Sequence, residues 1–214
     1  MKYAGAIFDQ DGLLFDTEKI YQAAWLASAK EQGIDMPVEF PHQFCGKHPS
    51  VIADITQNIY PSLDKKRYCE RAIGSAWEAQ MASVPEKKPG VIEMLQYCRE
   101  NNIRTAVASS STIKVIEHNL SASGLRQYFD AIACADEVVH GKPAPDIFLL
   151  AASKIGIEPA RCIVFEDAFS GLDGANAAGM KAVMVPDVVE PTPEIREICS
   201  VYANLADARE AFTQ

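Results

Sequence analysis

Several features that mark other protein classes are missing from this 214-residue sequence. No window of about 18 apolar residues is present, so no membrane-spanning helix is predicted. The six cysteines include no C-x-x-C pair, which disfavours a zinc site or a disulfide framework. Positive charge is scarce, and the formal net charge of −9 argues against nucleic acid as a partner. A small phosphorylated ligand stays compatible, since a local field can oppose the net charge.

The remaining composition is that of a soluble globular protein, with 48% apolar and 23% charged residues. The N-terminus shows no basic start followed by an apolar centre and a cleavage site, so we predict a cytoplasmic protein with reduced thiols. We expect a monomer, with a dimer as the alternative.

A carboxylate pair ends the first predicted strand. The nearly continuous apolar run from Tyr3 to Phe8 is typical of a strand buried on both faces, as in a parallel sheet. It stops at Asp9-Gln10-Asp11-Gly12, and ligands bind at the carboxyl ends of strands in open parallel sheets. Asp9 and Asp11 are therefore candidate functional residues.

The rest of the chain divides by pattern. Residues 18–84 show helical spacing and several prolines but no strand signal, whereas helices and strands alternate from Gly90 onward, ending with a strand over Lys181–Val185. We predict an α/β fold with a Rossmann-like parallel sheet, helices on both faces and an inserted all-helical cap. The predicted core is 1–17 and 85–214, and the predicted cap is 18–84.

Two further strands end in polar clusters at the same predicted edge of the sheet. One delivers Ser109 and its hydroxyl neighbours, and the other delivers Glu166 and Asp167, with Lys142 in a Gly-Lys-Pro turn between them. Four converging carboxylates need positive charge, which one Mg²⁺ ion and one ammonium group supply. Such an assembly suits phosphoryl transfer through an aspartyl-phosphate, with a second Asp as general acid and base.

Four segments resemble the motifs of the haloacid dehalogenase-like (HAD) hydrolases, in particular the branch of β-phosphoglucomutase-like enzymes and sugar-phosphate phosphatases. They are DQDGLLFDT at the start, the strand end at Ser109, GKPAPD from residue 141 and VFEDAFSG from residue 164. The resemblance covers nearly the whole chain.

The resemblance implies a role for each matching residue. Asp9 is the implied nucleophile and metal ligand, and Asp11 the implied general acid and base, which also binds the metal through its backbone carbonyl. Ser109 and the Ser110 backbone are implied to hold the phosphoryl group together with Lys142. Asp167 is an implied Mg²⁺ ligand, and Glu166 is implied to bind directly or through water.

Substrate contacts are predicted in the cap. In relatives a cap loop with a glycine faces the active site, which makes Gly46, Lys47 and His48 candidate substrate contacts. The mutase pattern has a histidine where this chain has Tyr21, and an arginine where it has Pro49. Losing both features favours water as acceptor, so we expect a Mg²⁺-dependent phosphatase of a small phosphorylated metabolite, plausibly a sugar or polyol phosphate. A phosphomutase is the alternative.

A receiver-like switch is another interpretation of these residues. Such a switch also places acids, Mg²⁺ and a lysine around a phosphorylated Asp, but it lacks the helical insert and does not need Asp11. Trp25 and Trp77 are expected in the hydrophobic core of the cap rather than against a ligand.

Overall fold

The computed structural model describes residues 2–45, 47 and 49–212. Its centre is a six-stranded parallel sheet in the order β3-β2-β1-β4-β5-β6. The strands are listed by their bounds: β1 Gly5–Phe8, β2 Arg104–Ser109, β3 Ala131–Cys134, β4 Cys162–Glu166, β5 Lys181–Met184 and β6 Ser200–Val201. The prediction of a Rossmann-like α/β fold is confirmed.

Helices connect the strands and cover both faces of the sheet. The sheet helices are α4 Val91–Glu100, α5 Ile113–Ala122, α6 Asp146–Ile155, α7 Phe169–Ala177 and α8 Pro193–Ile198. Side chains alternate along β1, so Ala6 and Phe8 pack on one face and Ile7 on the other. The first face is covered by α4 and α5, and the second by α6, α7 and α8. Both faces of the sheet are therefore buried around β1, which explains why β1 and β4 read as nearly continuous apolar runs.

Among the described residues, three α-helices lie between β1 and α4. They are α1 Glu18–Glu31, α2 Pro49–Ile59 and α3 Lys65–Met81. Trp25, Phe44 and Tyr68 are the large residues of a separate buried cluster that these helices enclose. The expectation of helices in this segment is met over the described residues, while its status as a separate substrate-selecting domain stays a prediction. No helix in the described ranges is both long enough and apolar enough to cross a membrane.

The structure also contains an α-helix and a strand that the sequence pattern did not predict. They are α8 and the two-residue edge strand β6, both beyond the strand at Lys181. The pairing of β6 with β5 covers only two residue pairs, so this strand has too few residues for an alternating or continuous apolar pattern.

Candidate active site

The register of the sheet brings the predicted site residues together. Strand β1 is central to the site because it pairs with β2 on one side and β4 on the other. Phe8 pairs with Val107 of β2 and with Phe165 of β4. Asp9, the residue after Phe8, therefore lies beside the residue after Val107 and the residue after Phe165. The backbone N–H of Asp9 donates to the carbonyl of Phe165 at 3.1 Å, which fixes its position at the strand end.

Lys142 bridges these three strand ends. Its Nζ donates to Asp9 Oδ1 at 2.5 Å, to Glu166 Oε1 at 2.5 Å and to the carbonyl oxygen of Ala108 at 3.0 Å. The Lys142 side chain is only 6% exposed, so this ammonium group is held in one place by three acceptors. The three acceptors therefore come from three neighbouring strands. Ala108 lies in β2 and Glu166 in β4, and Asp9 directly follows β1.

Three buried carboxylates form a cluster beside this ammonium group. Oxygen atoms of Asp9, Glu166 and Asp167 all lie within 4.8 Å of one another. Burial raises the pKa of Asp9 well above its usual range, and the charges of Glu166 and Asp11 add to the rise while Lys142 opposes it. Burial likewise raises the pKa of Asp167, and the negative charges of Glu166 and Asp9 raise it further. These two pKa shifts arise first from burial and then from the negative charges that the cluster brings together.

The donor set of this cluster fits a hard divalent cation. All donors are carboxylate oxygens, which Mg²⁺ prefers, and one ammonium group does not balance three carboxylates. Glu166 is already engaged, since Oε1 accepts from Lys142 and Oε2 accepts from the backbone N–H groups of Asp167 at 3.1 Å and Ala168 at 3.3 Å. Because both Glu166 oxygens accept hydrogen bonds, Asp9 and Asp167 are the cluster members better suited to hold a metal.

Gly12 allows the turn after β1 to approach this cluster. Its φ is +85°, a conformation that favours glycine, and a Cβ at this position would collide with the carboxylate of Asp167. The turn can therefore lie against Asp167 only because residue 12 has no side chain.

Asp11 is held by hydroxyl groups from two directions. Its Oδ1 accepts from Thr17 Oγ1 at 2.7 Å, and its Oδ2 accepts from Ser111 Oγ at 2.9 Å and more weakly from Ser109 Oγ at 3.4 Å. Thr17 stands at the N-cap of α1, yet its side chain makes no capping bond because the hydroxyl points to Asp11. The orientation of Asp11 is thus tied to the first turn of the helical segment.

The serines after β2 differ in exposure. Ser109 is buried, and its hydroxyl also accepts the backbone N–H of Ser111 at 3.1 Å. Ser110 and Ser111 line the cavity in front of the site. The sequence singled out Ser109 and Ser110, whereas the contact of Ser111 with Asp11 was missed although Ser111 follows directly in the same run of hydroxyl residues.

A cavity of about 980 Å³ opens in front of these groups. Its lining includes Asp9, Asp11, Lys142, Glu166 and Asp167. The helical segment adds further polar residues to the lining, namely Glu18, Tyr21 and Lys47. The volume lies at the upper end of the range of ligand pockets, roughly 300–1,000 Å³.

The predicted cap contacts fall into two groups. Tyr21 and Lys47 line the cavity, whereas Gly46 and His48 lie outside the described residues. The pKa of the Tyr21 hydroxyl is raised by burial and by the charge of Asp11, and hydrogen bonds to Ser111 and Gln80 oppose the rise. Tyr21 is therefore close enough to feel the candidate acid and base.

Glu18 is a cavity residue that the sequence interpretation missed. Burial raises its pKa to about 7, although its Oε2 accepts a hydrogen bond from the thiol of Cys45 at 3.2 Å. Asp11 and Asp187 add to the rise through their negative charge. Its place directly after Asp16-Thr17 was the signal that could have revealed it, since α1 begins there.

The two tryptophans have different environments. Trp25 is 5% exposed and packs against Phe44 and Tyr68, as expected for a core residue. The expectation for Trp77 was wrong, because this side chain is 42% exposed and lines the cavity. Helical spacing alone did not show that the outer face of α3 borders the cavity.

Comparison with known families identifies the fold and the enzyme class. Residues 6–185 match the family described as haloacid dehalogenase-like hydrolase, and this match begins within β1 and extends past the end of β4. The chain belongs to the haloacid dehalogenase-like hydrolases. The predicted family and hydrolase class are confirmed, and the receiver-like alternative is set aside.

Several relatives of this HAD hydrolase are named as phosphatases. It is 35% identical over 184 residues to the fructose-1-phosphate phosphatase YqaB of Escherichia coli, covering 86% of this chain and 97% of the relative. It is 33% identical over 215 residues to a probable pseudouridine-5′-phosphatase of Drosophila melanogaster, covering 96% and 91%. The crystal structure of β-phosphoglucomutase from Clostridium difficile is similar with a TM-score of 0.82 and 26% identity, covering 99% and 96%. The HAD hydrolase thus matches, over most of both chains, relatives that are named as phosphatases.

Proposed function

We propose that this protein hydrolyses a small phosphorylated metabolite, a sugar or polyol phosphate, through a phosphoryl group carried on Asp9. The observation that supports this most is the bridge from Lys142 to Asp9 and Glu166 at the floor of a cavity. It places a nucleophilic carboxylate beside a fixed positive charge, as transfer of an anionic phosphoryl group requires. The two phosphatase relatives agree with this proposal.

Asp9 and Asp11 divide the proposed chemistry. An oxygen of Asp9 forms a bond to phosphorus while the bond from phosphorus to the ester oxygen breaks, and Asp11 gives its proton to the leaving oxygen. Asp11 then takes a proton from water, which attacks the phosphorus and releases phosphate from Asp9. Thr17 and Ser111 hold Asp11 in position for both transfers.

The remaining residues bind charge. Lys142 pairs with the non-bridging oxygens of the phosphoryl group, and Ser109 with the Ser110 backbone completes the proposed phosphate site. Glu166 holds Lys142 in place through their shared hydrogen bond. Asp9, Asp167 and the backbone carbonyl of Asp11 are the proposed Mg²⁺ ligands, with Glu166 acting directly or through water. The ion, when bound, supplies positive charge that stabilises the pentavalent arrangement at phosphorus.

The helical segment 18–84 is proposed to select the substrate. Tyr21 and Lys47 reach the cavity from this segment, so they face the part of the ester that is not phosphate. Gly46 and His48 remain proposed contacts on the basis of the loop pattern.

A phosphomutase is the second candidate, supported by the similarity to β-phosphoglucomutase. Lys47 is the cavity cation in the helical segment that would hold a second phosphate in such a reaction. However, Tyr21 and Pro49 line the cavity at the positions where the mutase pattern has histidine and arginine, and proline has no side-chain donor. The phosphatase is therefore preferred.

A phosphate-release assay tests the proposal. The wild-type protein is incubated with a panel of sugar and polyol phosphates, with Mg²⁺ or with EDTA, beside Asp9→Asn. We expect multiple turnovers that require Mg²⁺ and are abolished in the variant. Interconversion of glucose 1-phosphate and glucose 6-phosphate with little phosphate released would support the mutase, and no reaction with any ester would refute both.

A further inference from the structure

The active-site cavity has an apolar wall that the proposed chemistry does not use. It consists of Ile73 and Trp77 on α3, Ile113 and Val115 on α5, and Val138 with Val139 after β3. Ile73 is 37% exposed and Ile113 is 39% exposed, close to the value for Trp77. Single exposed apolar side chains are common, but several that line the same cavity as catalytic acids indicate contact with a ligand.

Trp77 is the largest element of this apolar wall. Trp25 packs against two aromatic rings, whereas Trp77 contacts no aromatic ring among the described residues. Its indole is therefore available as a flat surface facing the cavity. Such a surface binds planar rings well, because stacking of two flat apolar faces buries area at little entropic cost.

Gly74 leaves space beside this indole. It lines the cavity between Ile73 and Trp77, and a Cβ built on it would meet no atom within 4 Å. Glycine disfavours a helix interior, and Gly74 lies well inside α3. Ile73, Gly74 and Trp77 therefore line the cavity from the same helix, and nothing in the described chain packs against Gly74.

We propose that the leaving group of the substrate carries a planar ring that stacks on Trp77 in the space above Gly74. The inference rests on the proposed phosphatase function, because Lys142 fixes the phosphoryl end and the rest of the ester must then extend into the remaining cavity. Within the proposed class of sugar phosphates, the preferred substrate is a phosphorylated sugar with a planar ring attached, as in a nucleoside 5′-monophosphate.

Two esters that differ only in the ring provide the test. Ribose 5-phosphate and uridine 5′-monophosphate present the same phosphate on the same sugar, and only the second has a planar base. We expect the wild-type protein to show the higher kcat/KM for the nucleotide. In Trp77→Ala, the ratio of the two kcat/KM values is expected to fall about tenfold, the size of a lost stacking contact.

Variants on the same helix control for indirect effects. Met81→Ala removes an apolar side chain one turn after Trp77 on a residue that does not line the cavity, and it is expected to leave the ratio unchanged. Gly74→Leu fills the proposed space and is expected to lower the ratio without lowering the melting temperature, because leucine is the better helix former.

A binding measurement separates this inference from the proposed function. In Asp9→Asn, which cannot turn over, uridine 5′-monophosphate is expected to quench tryptophan fluorescence, and the quenching is expected to vanish on adding Trp77→Ala. If ribose 5-phosphate is hydrolysed but the nucleotide is neither preferred nor bound through Trp77, the inference is wrong and the phosphatase stands. If the nucleotide binds through Trp77 but no ester is hydrolysed, the phosphatase proposal is wrong.

An apolar surface of this kind can also be buried by contact with a second copy of the chain. Light scattering of the wild type and Trp77→Ala tests this, and a monomer in both cases is expected. A dimer that dissociates in Trp77→Ala would overturn the inference.

Discussion

Replacing Lys142 by methionine tests the electrostatic basis of the site. Methionine keeps most of the side-chain volume but removes the ammonium group that contacts Asp9 and Glu166 at 2.5 Å each. Three buried carboxylates then face one another without their cation. Removing one partner of a buried ion pair costs about 3–5 kcal/mol, so we expect a loss of this size in the free energy of unfolding at neutral pH without Mg²⁺.

The sign of the pH dependence is fixed by the same contacts. Burial raises the pKa values of Asp9 and Asp167, and Lys142 lowers both, so the variant raises them further. A carboxyl group whose pKa is raised by folding stabilises the protein at low pH, where it is protonated in both states. That stability is lost as the pH rises through the raised pKa. The cost of Lys142→Met is therefore expected to be smaller at about pH 5 than at about pH 8.

Urea unfolding at both pH values in EDTA measures this cost. Lys154→Met is the matched control, because Lys154 contacts Glu137 at 2.6 Å but is 30% exposed. Ion pairs at the surface are worth roughly 0–1 kcal/mol, so the control is expected to lose little stability. The reasoning is refuted if the two variants lose equal stability, or if the cost of Lys142→Met grows as the pH falls.

Three further outcomes are expected. Mg²⁺ is expected to raise the melting temperature of the wild type, since a ligand that binds the folded state stabilises it, and Asp167→Asn is expected to abolish most of that rise in thermal scans. Folding raises the pKa of Glu18 to about 7. Without Mg²⁺, Glu18 alone is therefore expected to lower the free energy of unfolding by roughly 1–3 kcal/mol as the pH rises from about 5 to about 8. In urea titrations, the free energy of unfolding of Glu18→Gln is expected to change less over this pH range. Thr17→Val removes a 2.7 Å hydrogen bond to Asp11 and is expected to lower kcat for phosphate release about tenfold with little change in KM, a pattern that a mere folding defect would not give.

The sheet was predictable because its strands are buried on both faces. The run before Asp9 and the run before Glu166 have no alternation, and each is followed by polar residues where the strand ends. In parallel strands those ends meet at one edge, so the proximity of Asp9 to Glu166 followed from pattern alone. Strand β6 was not predictable, because two paired residues are too few to show an alternating or continuous apolar pattern.

The cavity was less predictable than the cluster of acids. Trp25 and Trp77 both lie on helices with mixed sequence and both line the cavity, and only the packing of α1 against α3 decides that Trp25 is buried whereas Trp77 is 42% exposed. The role of Thr17 was also hidden, since a threonine before a helix reads as a capping residue. Its hydroxyl bonds Asp11 instead, because the turn after β1 brings that carboxylate within reach.

Net charge is a poor guide to what this site attracts. The chain carries a formal charge of −9, which by itself repels a phosphate ester. Charges at the surface are screened over about 8 Å at physiological ionic strength, whereas buried groups are screened far less. A phosphate that reaches the cavity floor therefore responds chiefly to Lys142, to a cation held by Asp9 and Asp167, and to the nearby carboxylates. The unbalanced charge of that cluster is what favours the cation, and the bound cation in turn makes the site attractive to an anion.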